Sequence, residues 1–87
     1  MKEIKMFMFE SCPHCKKARE IMAELFAKHP EYKAAPLEMI DEKLHPDIAD
    51  KYDYYYVPTF FVGGEKICEG VPTAEGVESV FKKALKE

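Results

Sequence analysis

Two cysteines separated by two residues, in Cys12-Pro13-His14-Cys15, are the side chains of this 87-residue chain best suited to covalent chemistry. A pair at this spacing can cycle between dithiol and disulfide. The first turn of a helix brings positions i and i+3 together, close enough for one thiolate to attack a mixed disulfide on the other sulfur. The flanks predict such a turn. An apolar run, Ile4 to Phe9, precedes the pair, and a stretch with helical spacing follows it. Cys12 then stands at the start of the helix. Unpaired backbone N–H groups and the positive end of the macrodipole favour a thiolate there. Lys16, Lys17 and Arg19 add to that field, and Glu10 opposes it. Cys12 is therefore the expected exposed nucleophile and Cys15 the less exposed resolving thiol. Between them, Pro13 fixes φ in the first turn. His14, as a cation or hydrogen-bond donor, would stabilise the thiolate and make the disulfide more oxidising. The competing use of the pair is half a zinc site. Zinc wants four ligands, and the remaining candidates, Cys68, His14, His29 and His45, supply no second C-x-x-C. No metal is expected.

The elements that position the pair follow from apolar spacing. Ile4 to Phe9 is apolar on both alternating faces, which suits an interior strand covered on both sides. Ser11 is the expected N-cap of the first helix. Ala18, Ile21, Met22, Leu25 and Phe26 form its buried stripe, and His29-Pro30 stops it. Glu31 to Ala35 is read as a polar connection to a second strand, Leu37 to Ile40, parallel to the first. Pro46 opens a short second helix with Ile48 and Ala49 as apolar contacts, ending near Tyr52. Val57 to Val62 is the third strand, Gly63-Gly64 a hairpin turn, and Glu65 to Cys68 the returning fourth strand, broken by Gly70. Thr73 caps a last helix whose Val77, Val80, Phe81, Ala84 and Leu85 share one face. The lysines of that helix are read as a solvated face, and His29 and His45 as exposed helix-end residues. Tyr54, Tyr55 and Tyr56 are read as packing or loop aromatics, with a peptide groove as the alternative. Cys68 is read as a small buried hydrophobe, with a regulatory thiol as the alternative.

Composition limits the partners. The chain is 47% hydrophobic and 33% charged with a formal net charge of −3, which gives no electrostatic reason to expect nucleic acid or an anionic membrane. No run approaches the roughly 18 apolar residues of a membrane span. The amino-terminal apolar run is short and interrupted by Lys5, unlike a signal-peptide core. Three cysteines are too few for a stapled secreted scaffold. One cytoplasmic domain, residues 1–87, is the expectation.

With the order βαβαββα, CPHC after the first strand, Val57-Pro58-Thr59 opening the third, a glycine hairpin and a final amphipathic helix, the sequence resembles the thioredoxin/glutaredoxin-like family over residues 3–86. The resemblance implies an α/β minimal thioredoxin fold, a four-stranded mixed sheet flanked by three helices. It implies that Pro58 is cis and faces the motif, which leaves the backbone of Val57 free to pair with an extended substrate. Val57, Pro58, Thr59 and Gly70 are thus the expected substrate-binding residues, Gly70 by allowing close backbone approach. Within the family the signals are mixed. Ser11 stands where glutaredoxins usually carry an aromatic, and Glu69-Gly70-Val71-Pro72-Thr73 replaces their glutathione-holding Gly-Gly and acidic pair. Pro58-Thr59-Phe60-Phe61 and the single Gly70 look like thioredoxin, but Met6 stands where thioredoxins carry a buried Asp. The Pro-His pair matches DsbA-type oxidases.

The implied activity is that of a thiol–disulfide oxidoreductase reducing protein or low-molecular-weight disulfides. Its redox-active group is the Cys12–Cys15 disulfide, with no bound cofactor. Electrons would come from a thioredoxin-type reductase or from glutathione, and the protein would act as a monomer on disulfide-containing protein substrates. The alternatives are a metal- or iron–sulfur-cluster carrier using the two cysteines and a redox-inactive adaptor.

Overall fold

A computed structural model describes residues 1–86. Its elements run β1 (Ile4–Met8), α1 (Pro13–Lys28), a 3-10 helix (Pro30–Ala34), β2 (Leu37–Asp41), α2 (Pro46–Ala49), β3 (Thr59–Val62), β4 (Glu65–Glu69) and α3 (Ala74–Lys86). The four strands form one sheet in the order β2-β1-β3-β4. β1 pairs parallel with β2 and antiparallel with β3, and β3 pairs antiparallel with β4. The interior place of β1 agrees with its two apolar faces. Val62 pairs with Glu65 across a two-residue turn in which Gly63 and Gly64 both have positive φ. Only such residues let a tight turn follow the right-handed twist of the strands.

Alternation along the central strands divides the core. Ile4 and Met6 of β1 and Phe60 and Val62 of β3 face α1 and α3. Phe7 and Phe61 face the other way, onto Ile40, Ala49, Tyr52, Tyr54 and Val57. α1 and α3 thus cover one face, and α2 with the loop before β3 covers the other. Thr73 caps α3 as expected, its hydroxyl oxygen accepting the Gly76 N–H at 3.0 Å. Among the described residues no helix is long and apolar enough to cross a membrane.

Several boundaries differ from the sequence reading. Residues 30–34 form a 3-10 helix rather than an irregular polar link. A three-residue turn keeps Glu31 and Lys33 in solvent and directs Tyr32 inward, where it is buried and stacks on Phe81 at 5.9 Å between ring centroids. Its hydroxyl donates to Glu78 at 2.7 Å, a bond that pushes the phenol up to about 12. β3 starts at Thr59, two residues later than its apolar run, because Pro58 has no N–H to give to the ladder. α2 ends at Ala49, short of Tyr52. His29 is not an exposed helix end. It is the half-buried C-cap of α1, its ring 5.0 Å from that of Tyr32.

Candidate active site

The amino terminus of α1 carries the cysteine pair. Helices are usually capped there by the oxygen of Ser, Thr, Asp or Asn. Here the cap is Cys12, not Ser11. Cys12 is extended, with φ −77° and ψ 118°, and its Sγ accepts the Cys15 N–H at 3.2 Å. Pro13 occupies the first helical turn, where its missing N–H costs nothing. The sulfur therefore occupies the position at which orphan amides and the helix dipole act most strongly on a developing negative charge. Cys12 and Cys15 are both free thiols in the structure.

Cys12 is more enclosed than its position at a helix start implies, at 4% exposure against 0% for Cys15. The loop before β3 closes over it, and its thiol points at the Val57 carbonyl, 4.0 Å away. Burial, reinforced by the neighbouring Cys12 thiol, pushes the Cys15 thiol up from its ordinary value. That keeps Cys15 protonated while Cys12 is free.

The Val57–Pro58 peptide bond is cis. Pro58 and Thr59 are buried behind the cysteines, and the Thr59 hydroxyl donates to the Tyr56 carbonyl. The Gly70 N–H donates to the Pro58 carbonyl at 3.0 Å, and Gly70 has a φ of +87°, which a side chain would disfavour. His14, Tyr56, Val57, Gly70 and Val71 line an open cavity of about 310 Å³ beside Cys12. Tyr56 and Val71 are 70% exposed, so the rim is an apolar surface without an internal partner. Among the described residues, His14 lies exposed on this rim and hydrogen-bonds to neither cysteine. The structure thus gathers Cys12, Cys15, Val57, Pro58, His14 and Gly70 in one place, with Pro13 exposed at the helix start and Thr59 beneath.

Residues not singled out in the sequence also build the site. Glu69 lies opposite Thr59 on β4. Its Oε2 accepts the N–H groups of Tyr55 and Tyr56, the latter at 2.9 Å, and its Oε1 accepts from Lys66 Nζ at 2.8 Å. Lys66 first, then the two amides, hold this carboxyl at about 2, well below the ordinary value of 4.5. A depressed carboxyl contributes stability that is fully present above about pH 4.5 and lost as pH falls through its folded value. The Tyr55 and Tyr56 amide resonances are therefore expected to titrate with a midpoint near pH 2. A midpoint near 4.5 in an NMR titration would mean that the carboxylate does not hold the loop. Counting from the Gly63-Gly64 turn could have placed Glu69 beside this loop, had the irregular register between Phe60 and Phe61 been foreseen.

The three tyrosines have different environments. Tyr54 stacks on Phe7 at 5.0 Å and donates its hydroxyl to Glu42 at 2.7 Å. Tyr55 and Tyr56 are exposed. Cys68 is half-buried on β4, its thiol donating to the Gly76 carbonyl at 3.1 Å, and burial pushes it up.

A thioredoxin-domain family model matches residues 2–82. A thioredoxin from Methanocaldococcus jannaschii is 32% identical over 87 residues, covering 98% of this chain and 100% of that protein. Among solved structures, oxidised thioredoxin from Plasmodium falciparum superposes with a TM-score of 0.70 at 19% identity, covering 94% of this chain and 79% of that one. A protein disulfide oxidoreductase from Aeropyrum pernix superposes with a TM-score of 0.66 at 28% identity, and covers 99% of this chain but 38% of that one.

Proposed function

The chain belongs to the thioredoxin family of thiol–disulfide oxidoreductases, and from that premise we propose that it reduces protein or low-molecular-weight disulfides by dithiol exchange through Cys12 and Cys15. The observation that carries this reading is the placement of Cys12 Sγ, which caps α1 and faces the Val57 carbonyl.

Cys12, as thiolate, attacks one sulfur of the substrate disulfide. The substrate S–S bond breaks, the leaving sulfur takes a proton, and a Cys12–substrate mixed disulfide forms. Cys15 then loses its proton and attacks Cys12 Sγ. The second substrate sulfur leaves, takes a proton, and the Cys12–Cys15 disulfide remains. Two electrons and two protons have passed to the substrate. The upward push of burial on the Cys15 thiol suits this order, because it withholds the second nucleophile until the mixed disulfide has formed.

Val57 offers backbone to an extended substrate segment, with Pro58 and Thr59 fixing its path and Gly70 leaving room on the other side. The apolar rim accepts the substrate's side chains. Electrons return from a thioredoxin-type reductase or glutathione, no bound cofactor takes part, and the working unit is a monomer in a reducing compartment. Family membership does not favour the metal-carrier or adaptor readings.

Equilibration of the Cys12–Cys15 pair in redox buffers tests the direction. A potential near about −270 mV is expected for a general reductase. A value above about −200 mV would overturn the reducing direction, and failure to form the disulfide would overturn the exchange chemistry. If His14 stabilises the Cys12 thiolate, His14→Ala makes the potential more negative, by about 30 mV for each tenfold change in the equilibrium. An unchanged potential would remove His14 from the site.

A further inference from the structure

Between Tyr54, which packs on Phe7, and the buried Pro58, the loop that faces Cys12 exposes two side chains and is held there by polar contacts. Tyr55 is 82% exposed and Tyr56 70% exposed, so neither ring anchors the chain here. The backbone is fixed instead at three places. Glu69 Oε2 accepts two successive N–H groups, the Thr59 hydroxyl donates to the Tyr56 carbonyl, and the Gly70 N–H donates to the Pro58 carbonyl. Val57 lies between these anchors, its carbonyl directed at the Cys12 sulfur.

We propose that Glu69 is a positioning residue for disulfide exchange with extended substrates: by clamping the Tyr55 and Tyr56 amides it sets the Val57 backbone and the Tyr56 side of the apolar rim against Cys12. The proposal rests on the reading of Cys12 as nucleophile. The division of labour between the two carboxylate oxygens supports it. Lys66 occupies Oε1, which leaves Oε2 turned toward the loop. A carboxylate present only for a pairing along the β4 edge would not also converge on two adjacent amides. Without the clamp, those amides turn to water and the segment gains freedom upstream of Val57. Small displacements of a substrate-positioning group cost rate steeply, on the order of 10²-fold for about 1 Å.

The test compares two substrates. Insulin carries its disulfides in polypeptide that can pair with the Val57 backbone, whereas 5,5′-dithiobis(2-nitrobenzoate) is a small disulfide that has no peptide backbone to pair and needs only the thiol. Glu69→Ala is expected to raise KM for insulin about tenfold and to leave the rate with the small disulfide within about twofold. Hydrogen exchange at the Tyr55 and Tyr56 amides should accelerate in the same variant. Glu69→Gln keeps one acceptor oxygen and should recover most of the insulin KM, and it is the readable variant should Glu69→Ala fail to fold. Glu65→Gln, at an exposed carboxylate of the same strand that pairs with Lys83 at 3.4 Å, should leave both substrates unaffected. An unchanged insulin KM in Glu69→Ala, equal losses on both substrates, unchanged amide exchange, or a Glu65→Gln variant that reproduces the defect would each overturn the role of Glu69. Inactivity of the unmodified protein toward both disulfides would instead sink the dithiol reading itself.

Discussion

Cys12→Ser is expected to leave no disulfide reduction above the uncatalysed background, and Cys15→Ser to stop the reaction one bond later. The two sulfurs are not equivalent in position. Cys12 Sγ caps α1 and faces Val57, which lines the apolar cavity. Cys15 is wholly buried, and its thiol is held up by desolvation. A serine hydroxyl at position 12 could still accept the Cys15 N–H and cap the helix, so the fold should survive. It cannot serve as the attacking thiolate. A serine at position 15 leaves Cys12 able to attack but nothing to displace the product. The Cys15→Ser variant should therefore accumulate a stoichiometric mixed disulfide with substrate, visible on a non-reducing gel and released by dithiothreitol. Turnover by Cys12→Ser, or trapping by Cys12→Ser rather than Cys15→Ser, would reverse the assigned roles.

How much of this was legible in the sequence depends on how local each signal was. The apolar doubling of Ile4–Met8, the stripe from Ala18 to Phe26 and the Gly63-Gly64 turn are carried by neighbouring residues, and each marks an element found in the structure. The cap of α1 was misplaced by one residue. Serine has the usual capping oxygen, whereas Cys12 takes the role with sulfur. Tyr32 was missed because its neighbours Glu31 and Lys33 make the segment look solvated, while its burial depends on α3 some fifty residues away. The enclosure of Cys12 was missed for a related reason. The helix terminus alone leaves it open, and it is the loop before β3 that covers it. Glu69 was the least legible. Its carboxylate acts on backbone amides, which have no residue identity, so no pattern of side-chain types announces the contact.

The site's geometry depends on α3 being seated, and Phe81→Ala is the substitution expected to unseat it. Phe81 is fully buried among the residues that join α1, α3 and the sheet. Its ring meets Phe26 edge-on at 5.2 Å and stacks on Tyr32 at 5.9 Å. Neither partner is free to collapse into the space left by alanine. Phe26 is carried by the rigid backbone of α1, and Tyr32 is held by its hydroxyl on Glu78. The cavity should therefore persist, which places the cost at the usual aromatic-to-alanine value of about 3–5 kcal/mol. A chain of this length is stable by roughly 4–13 kcal/mol at the usual yield per residue. The loss is thus a large part of the total, and a fall in Tm of more than about 12 °C follows from the size scaling of unfolding entropy. Leu44→Ala, at a side chain 73% exposed, is the control and should change stability by less than about 0.5 kcal/mol. Equal effects of the two substitutions in thermal unfolding would mean that Phe81 does not join α3 to the core as described. Because Glu69 ends β4 and Gly70 follows it in the turn into α3, loosening that helix should also speed hydrogen exchange at the Gly70 amide, which donates to Pro58. Stability and site geometry are thus coupled through the β4–α3 junction, and the core residue farthest in kind from the chemistry should still be felt at the proline loop.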